Sequence, residues 1–290
     1  METNLIGIIG LGLMGTALAE RFLEHGFRVV VWNRTREKAA SLLNRGARWS
    51  ENPLIECPRV IVSLYTSGVV TQVLDQMQDG LRAGQIIIDT TTGEPAETVA
   101  LGNRLAARNV RYLDAPISGS SEQTRRGEAT VIVGGDPAAI AACTDLLQVM
   151  GTRVFHAGAC GNATRMKLIS NLVLGLNRAA LAEGLAFAEA LGVSSAAALQ
   201  ILTGSAAYSR VMDAKGRKMI EKNFSVQARL SQHLKDVRLI LEAAASEQMT
   251  LPFSELHRQL LERAEASGLG DLDNSAIIEI IRKPCQSSQS

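Results

Sequence analysis

Short apolar runs alternate with amphipathic stretches along the first half of the chain. The runs occupy residues 6–10, 27–32, 59–64, 85–89, 111–115 and 130–135, and most of them are rich in Val and Ile. Between them, apolar residues recur at helical spacing, most clearly over 14–24 and 96–107. A strand that is apolar on both sides must be covered on both faces of its sheet. The pattern therefore predicts an α/β fold with a doubly wound parallel sheet.

The pattern changes near residue 160 and stays helical to Ile281. Residues 165–190 contain no proline and only two glycines, and a helix of this length spans about 39 Å, enough to connect two domains. Gly192 is placed to end this helix, and Pro252 marks a later helix boundary. We predict an α/β domain over 1–162 and an all-α domain over 163–290, in which 163–191 form the interdomain helix. The polar tail 283–290 is expected to be disordered.

The long helix carries one narrow polar stripe. Lys167, Asn171, Arg178 and Glu189 fall within about 40° of one another at 3.6 residues per turn, and nearly all other residues of this helix are apolar. Such a helix must be buried around most of its circumference. We therefore expect a homodimer or homotetramer that shares it.

Composition and charge limit the classes of function. Thirty basic side chains nearly balance 29 acidic ones, so no concentrated positive surface for a nucleic acid is expected. Arg125-Arg126 is only a local pair, which we place on a solvated loop. The N-terminal residues do not resemble a signal peptide, and the longest apolar stretch is shorter than the ~20 residues of a membrane span. Four widely separated cysteines lack metal-ligand spacing, so we expect a soluble cytoplasmic protein without a metal site.

A G-x-G-x-x-G motif joins the first predicted strand to the first predicted helix. It comprises Gly10, Leu11, Gly12, Leu13, Met14 and Gly15. In this context Gly10 permits a tight turn, Gly12 lets the backbone approach a pyrophosphate, and Gly15 allows close helix–strand packing. The N–H groups at the helix N-terminus then attract phosphate. The motif predicts a dinucleotide-binding Rossmann domain, with a purely structural turn as the less favoured alternative.

The end of the second strand bears on the choice of nicotinamide cofactor. NAD-binding domains usually place Asp or Glu about 20 residues after the glycines, on the ribose 2′-hydroxyl. Here the segment is Asn33-Arg34-Thr35. Arg34 can pair with a 2′-phosphate, neutral Asn33 does not repel one, and Thr35 and Lys38 add a donor and a charge. We predict NADPH, with NADH weaker; a solvated surface arginine is the alternative.

Two further segments are candidates for substrate chemistry. Ser118, Gly119 and Ser120 offer hydroxyl and N–H groups that can hold a carboxylate, although an ordinary turn fits equally well. Lys167 and Asn171 lie one helical turn apart on the polar stripe. In a partly desolvated cleft a lysine becomes a usable proton donor, and the asparagine can orient it or the substrate oxygen. A solvated surface lysine is the alternative.

Taken together, the motifs resemble the β-hydroxyacid dehydrogenase family, which includes 3-hydroxyisobutyrate dehydrogenase, tartronate semialdehyde reductase and glyoxylate/succinic semialdehyde reductase. They span nearly the whole chain: GLGLMG (10–15), DTTTGEP (89–95), DAPISGS (114–120), GNATRMKLISN (161–171), AEGLAFAEALG (182–192), KDVRLILEAA (235–244) and GDLDNSA (270–276). The segments VWNRT (31–35) and GNATRMKL (161–168) look most like the NADPH-dependent glyoxylate/succinic semialdehyde reductase branch.

The resemblance implies roles for individual residues. Lys167 matches the family's catalytic lysine and Asn171 the asparagine that assists it. Ser118 and Gly119 match the loop that binds the substrate carboxylate. The positions that match cofactor contacts are Leu64, Tyr65, Thr92 and Lys235.

Two positions depart from the family pattern. Ser120 stands where many members have a second glycine, and it can narrow the carboxylate loop or add a hydrogen bond. Ala228 stands where the glyoxylate-reducing branch carries a bulky aromatic residue. The smaller side chain favours an aldehyde larger than glyoxylate.

The resemblance implies an NADPH-dependent oxidoreductase that reduces a small aldehyde acid, of the succinic semialdehyde or glyoxylate type, to the hydroxy acid. Lys167 is expected to donate the proton to the carbonyl oxygen. The alternatives are a 3-hydroxyisobutyrate-type dehydrogenase, an imine reductase and a non-catalytic nucleotide-binding module. Relatives of the last two kinds generally lack the lysine, so its presence disfavours them.

Overall fold

The computed structural model describes residues 4–282. The strands are β1 (Leu5–Ile9), β2 (Arg28–Trp32), β3 (Arg48–Trp49), β4 (Arg59–Val62), β5 (Ile86–Asp89), β6 (Arg111–Asp114), β7 (Ile117–Ser118), β8 (Thr130–Gly134) and β9 (Arg153–Gly158). The α-helices are α1 (Leu13–Glu24), α2 (Ala40–Leu43), α3 (Ser67–Gln76), α4 (Pro95–Ala106), α5 (Ser121–Arg126), α6 (Pro137–Ala141), α7 (Thr144–Met150), α8 (Asn162–Ala190), α9 (Ser195–Thr203), α10 (Arg210–Ile220), α11 (Leu230–Ser246), α12 (Pro252–Ala264) and α13 (Ile278–Arg282).

The chain divides into two compact units after Leu168. The first contains the whole sheet, and the second is helical. This confirms the predicted fold class, an α/β Rossmann domain followed by a long helix and an all-α region. The domain boundary after residue 162 remains a prediction, and the tail 283–290 lies outside the described residues.

The sheet of the first unit has the order β3-β2-β1-β4-β5-β6-β8-β7, with β9 paired to β8. Neighbouring strands from β3 to β6 are parallel. Alternate residues of one strand enter separate apolar clusters: Val29 and Val31 pack in one, and Val30 packs in the other. Cover on both faces is the condition that the continuous Val and Ile runs predicted.

The sheet is mixed rather than wholly parallel, which corrects the sequence-based expectation. Strand β8 runs antiparallel to β6 and β7, because only the short β7 and α5 separate β6 from β8 and no full crossover helix intervenes. The two-residue strands β3 and β7 were too short to predict, and β9 is almost entirely exposed, so it lacks the apolar run of a buried strand.

The Arg125-Arg126 pair lies in the last turn of α5, not on a loop as predicted. Arg125 forms an ion pair with Glu20, and Arg126 forms one with Glu122. The capped helix and these ion pairs hold both arginines in place.

Helix α8 buries most of its polar stripe and exposes part of its apolar surface; Glu189, the last residue of the stripe, is exposed and forms an ion pair with Arg282. Asn171 and Arg178 are buried, whereas Ile169, Val173 and Phe187 are exposed in the single chain. The expected burial around most of the circumference is therefore not met within one chain. The predicted ends hold: Val193 N–H bonds to the Ala188 carbonyl as the chain leaves the helix through Gly192, whose φ is +73°, and Pro252 begins α12.

None of the helices in residues 4–282 combines the length and hydropathy that a membrane span requires.

Candidate active site

The turn between β1 and α1 is shaped to receive a phosphate group. Gly10 has a φ of +99°, and a Cβ on it would lie 2.3 Å from the carbonyl oxygen of Ser63. A Cβ on Gly15 would lie 1.9 Å from the carbonyl oxygen of Gly10, whereas a Cβ on Gly12 would meet no atom within 4 Å. Gly12 is the N-cap of α1 and offers no side-chain cap, so the first N–H groups of this helix face an open approach. These features fit the pyrophosphate of a dinucleotide.

Asn33 connects this turn to the end of β2. Its Oδ1 accepts a hydrogen bond from Leu11 N–H (2.9 Å), and its Nδ2 donates to the Thr35 carbonyl (2.8 Å). The amide therefore positions the two backbone segments between which it lies. Arg34 and Thr35 are exposed next to it, which leaves them open to a ligand. Leu13 is also exposed, while Met14 Sδ accepts a hydrogen bond from Thr124 Oγ1 at 3.2 Å.

Three more predicted cofactor residues follow β4 and β5. Strand β4 lies next to β1, and β5 lies next to β4, in the parallel part of the sheet. Leu64, Tyr65 and Thr92 therefore follow strands that end at the same carboxyl edge as the glycine turn, where doubly wound sheets bind their ligands. Leu64 N–H donates to Thr91 Oγ1 (3.1 Å), which joins the two loops. Tyr65 is half exposed at this edge.

Asp89, at the end of β5, is a residue of this edge that sequence analysis did not single out. Its carboxyl group accepts hydrogen bonds from Tyr112 O–H (2.6 Å) and Thr91 N–H (2.9 Å). Burial raises the pKa of Asp89 to about 6, against the opposing effect of these hydrogen bonds. The side chain fixes the start of the loop that carries Thr92; its place at the head of the DTTTGEP motif was the available signal.

The predicted carboxylate loop begins on β7 and ends at α5. Ser118 pairs with Thr130 of β8, and a Cβ on Gly119 would lie 3.0 Å from the Cβ of Ala129. Ser120 is the N-cap of α5: its Oγ accepts from Gln123 N–H (3.2 Å), and its own N–H donates to Gln123 Oε1 (2.8 Å). This capping box uses the backbone N–H of Ser120, so the hydroxyl hydrogen is the one donor of Ser120 that remains for a ligand.

The start of α8 is fixed by Asp114 at the end of β6. Asp114 Oδ2 accepts hydrogen bonds from Thr164 N–H (2.9 Å) and Thr164 Oγ1 (3.1 Å). A carboxylate near a helix N-terminus also interacts favourably with the helix dipole. Lys167 follows Thr164 by about one turn, so its position along the helix is tied to the end of β6.

Lys167 and Asn171 are both buried, at 7% and 6% exposure. The ammonium group of Lys167 is therefore not that of a solvated surface lysine. Asn171 Nδ2 donates to Asp236 Oδ2 (2.9 Å), and Lys235 Nζ lies 3.2 Å from Asp236 Oδ1. Asp236 thus links two predicted site residues. This role could not be predicted from the sequence, because Asn171 and Asp236 are 65 residues apart and meet only when α8 packs against α11.

Two family models match consecutive parts of the chain. The NAD binding domain of 6-phosphogluconate dehydrogenase matches residues 5–158. The model described as NAD-binding of NADP-dependent 3-hydroxyisobutyrate dehydrogenase matches residues 161–281.

Two relatives match this chain over nearly its full length. The chain is 30% identical over 283 residues to glyoxylate/succinic semialdehyde reductase 1 of Arabidopsis thaliana, covering 96% of this chain and 98% of the relative. It is 30% identical over 288 residues to 2-(hydroxymethyl)glutarate dehydrogenase of Eubacterium barkeri, covering 97% and 96%. The solved structure of Psf3 in complex with NADP+ and 2-OPP is 26% identical, with a TM-score of 0.85 and coverage of 95% and 99%. The chain belongs to the β-hydroxyacid dehydrogenase family.

This β-hydroxyacid dehydrogenase is an NAD(P)-dependent oxidoreductase. Its glycine turn, with the open approach at Gly12, fits the cofactor that the family uses. The buried Lys167 supplies a group able to exchange a proton with an alcohol or carbonyl oxygen.

A second group of buried polar side chains lies in the helical unit of the dehydrogenase. We call Arg178, His233, Asp236 and His257 the Arg178 cluster. The imidazole rings of His233 and His257 lie 5.1 Å apart between their centres. They pack against Gly175, where a Cβ would lie 2.6 Å from His233 Nε2. Burial, helped by the nearby charge of Arg178, lowers the pKa of His257 to about 4, so this ring is neutral at pH 7.

Proposed function

We propose that this dehydrogenase uses NADPH to reduce a small aldehyde acid, of the succinic semialdehyde or glyoxylate type, to the hydroxy acid, with Lys167 as the general acid. The observation that carries the proposal is the burial of Lys167 and Asn171 on one face of α8. The similarity to the Arabidopsis thaliana reductase supports the substrate class.

The residues of the chain divide the work of this reaction. A nicotinamide cofactor supplies the hydride when it is bound. The N–H groups at the start of α1 bind its phosphates, while Ser118 and Gly119 hold the carboxylate of the substrate. Lys167 gives a proton to the carbonyl oxygen as negative charge develops there, and it takes the hydroxyl proton in the reverse direction. Asn171, itself held by Asp236, orients the ammonium group or the substrate oxygen.

Ala228 favours succinic semialdehyde over glyoxylate. Its N–H donates to Asp273 Oδ2 (3.1 Å), which fixes the backbone at this position. A methyl group there leaves room that a bulky aromatic side chain would fill, so the longer aldehyde acid is accommodated and the two-carbon one is held less closely.

The test compares NADPH and NADH consumption by the purified protein with glyoxylate, succinic semialdehyde, tartronate semialdehyde and methylglyoxal. We expect the aldehyde acids to give a higher kcat/KM than methylglyoxal, which lacks the carboxylate. A cyclic imine serves as the test of the imine reductase alternative. Preference for the imine, or no turnover of any aldehyde acid, would contradict the proposal.

A 3-hydroxyisobutyrate-type dehydrogenase is the second candidate, because the model that matches residues 161–281 carries that description. Its distinguishing assay is oxidation of 3-hydroxyisobutyrate with NAD+ and NADP+. A kcat/KM for this alcohol above that of 4-hydroxybutyrate, the alcohol of succinic semialdehyde, would favour the second candidate.

Replacing Arg34 with alanine is expected to raise the KM for NADPH by about 10- to 100-fold, because one charge-assisted contact to the 2′-phosphate is lost. The KM for NADH should change by less than about threefold, since NADH lacks that phosphate. Arg28→Ala is the control: Arg28 is exposed at the opposite end of β2. Equal losses for both cofactors in Arg34→Ala would refute the assignment.

We also propose a homodimer or homotetramer that buries the exposed apolar side of α8, including Ile169, Val173 and Phe187. Light scattering that finds a monodisperse monomer would contradict it.

Cytoplasmic localisation is a separate proposal, supported by the free thiols of Cys57 and Cys143.

A further inference from the structure

One edge of the guanidinium group of Arg178 is buried without hydrogen-bond partners in the described part of the chain. The Arg178 side chain is 2% exposed, and among residues 4–282 neither Nε nor Nη2 has a hydrogen-bond partner. The Nε2 atom of His257 is likewise buried without a partner in this part of the chain. Buried donors are nearly always hydrogen-bonded in folded proteins, and an unpaired charged donor is the most costly kind. The cluster therefore calls for a further acceptor.

The nearest carboxylates already have other partners. Asp273 accepts hydrogen bonds from Lys215 Nζ at 2.8 and 2.9 Å, and from N–H groups of Gln227 and Ala228. Asp236 accepts from Asn171 and lies against Lys235. Both acids act on Arg178 only through their charge.

The charges around the cluster do not balance. Lys215 pairs with Asp273 and Lys235 with Asp236, whereas His257 is neutral at pH 7. The guanidinium group of Arg178 then remains as one surplus positive charge. Burial lowers the pKa of Arg178 only to about 10, so it stays charged at pH 7. A buried charge without a hydrogen-bonded counter-ion is unfavourable, and a bound anion offsets that cost.

The shape of the free edge identifies the kind of anion. Nε–H and one N–H of Nη2 lie side by side on a planar guanidinium group and point in the same direction. This fork matches the two oxygens of a carboxylate, each of which accepts one hydrogen bond. We propose that Arg178, with His257 beside it, binds the carboxylate group of a small molecule within the helical unit.

This site does not involve the cofactor, Lys167 or the loop at Ser118. It adjoins the proposed catalytic residues through Asp236, which also accepts a hydrogen bond from Asn171. Its test is a binding measurement without turnover, so the two proposals can fail independently.

The four histidines of the chain provide local probes for that measurement. His233 and His257 belong to the cluster, whereas His25 and His156 are exposed in the first unit. We expect sodium acetate, titrated against sodium chloride at constant ionic strength, to shift the imidazole 1H–13C signals of His257 and His233 in a saturable manner. The signals of His25 and His156 should not saturate with them. Acetamide, which has a similar shape but no charge, should leave the cluster signals in place.

Arg178→Met is expected to raise the dissociation constant for acetate by at least about 10-fold, since the charged guanidinium group is lost. Arg178→Gln serves the same purpose if the methionine variant does not fold. Arg217→Met is the matched control, because it removes the same charge from α10 at a side chain that is 85% exposed. Acetate shifts that do not saturate, that acetamide reproduces, or that persist in the Arg178 variants would overturn the proposal.

Discussion

Lys167→Ala is expected to lower kcat for aldehyde reduction by about 1,000-fold. General acid catalysis by a positioned side chain contributes about 100- to 10,000-fold, and the buried setting of Lys167 excludes the bulk water that would otherwise replace it. The glycine turn and the end of β2 are unchanged by the substitution, so the dissociation constant of NADPH should stay within about threefold. The measurement is steady-state NADPH consumption, together with a fluorescence titration of NADPH binding.

The control is Lys218→Ala, which removes a lysine from α10 whose ammonium group donates to Ser225. It should retain full activity. If Lys167→Ala also retained full activity, the mechanism would be refuted while the cofactor-binding assignment survived. A loss of NADPH binding in step with kcat would show that the lysine acts on the cofactor instead of on the carbonyl oxygen.

The parts of the molecule that the sequence predicted are those governed by local rules. The glycines at 10, 12 and 15 predict their turn by their spacing: a Cβ on Gly10 or Gly15 would clash with a backbone carbonyl, and Gly12 leaves the start of the helix open. Burial on both faces of a sheet requires continuous apolar runs, and such runs predicted β1, β2, β4, β5, β6 and β8. The reversed direction of β8 depends on the length of the connection and not on the composition of the strand, so its run of Val and Ile looked like that of its parallel neighbours.

The candidate site was predicted less completely for a different reason. Periodicity placed Lys167, Asn171 and Arg178 on one face of α8, but it cannot state which face of an isolated helix is buried. The residues that hold the site in place, Asp114 and Asp236, pair with α8 across 50 and 65 residues. Such contacts arise only when the chain is folded. A single carboxylate in a sequence gives no sign of them.

The helical unit contains more buried polar groups than its amphipathic pattern suggests. Lys215, Arg178 and Asp273 are all buried among α8, α10 and the turn that precedes α13. Buried ion pairs rarely add much net stability, because desolvation offsets their attraction. Removing one member of a buried ion pair is strongly destabilising, because the remaining charge stays buried without its counter-charge. The buried ion pair of Lys215 and Asp273 is therefore a sensitive point of this unit.

Asp273→Asn is expected to lower the free energy of unfolding by about 3–5 kcal/mol at pH 7, because it leaves the buried ammonium group of Lys215 without its counter-charge. The carboxylate of Asp273 is fully buried and also accepts hydrogen bonds from Ser275 N–H (3.1 Å) and Ser275 Oγ (2.7 Å). Burial by itself would raise the pKa of Asp273, but the charge and hydrogen bonds of Lys215, together with hydrogen bonds from Ser275 and Gln227, outweigh burial and lower it. Denaturant unfolding followed by circular dichroism at the helical band measures the loss.

The pH dependence separates loss of charge from loss of packing. A carboxyl group with a lowered folded-state pKa stabilises the protein above its ordinary pKa, and that contribution disappears as the pH falls through the folded-state value. The difference between wild type and Asp273→Asn should therefore shrink once the pH falls below about 4. Asp271→Asn is the control, because the side chain of Asp271 is 92% exposed and its ion pair with Arg229 is long, with 3.9 Å between Oδ1 and Nε. It should change the free energy of unfolding by less than about 0.5 kcal/mol. A difference for Asp273→Asn that stays constant down to pH 2 would assign the loss to packing and contradict the role of the charge.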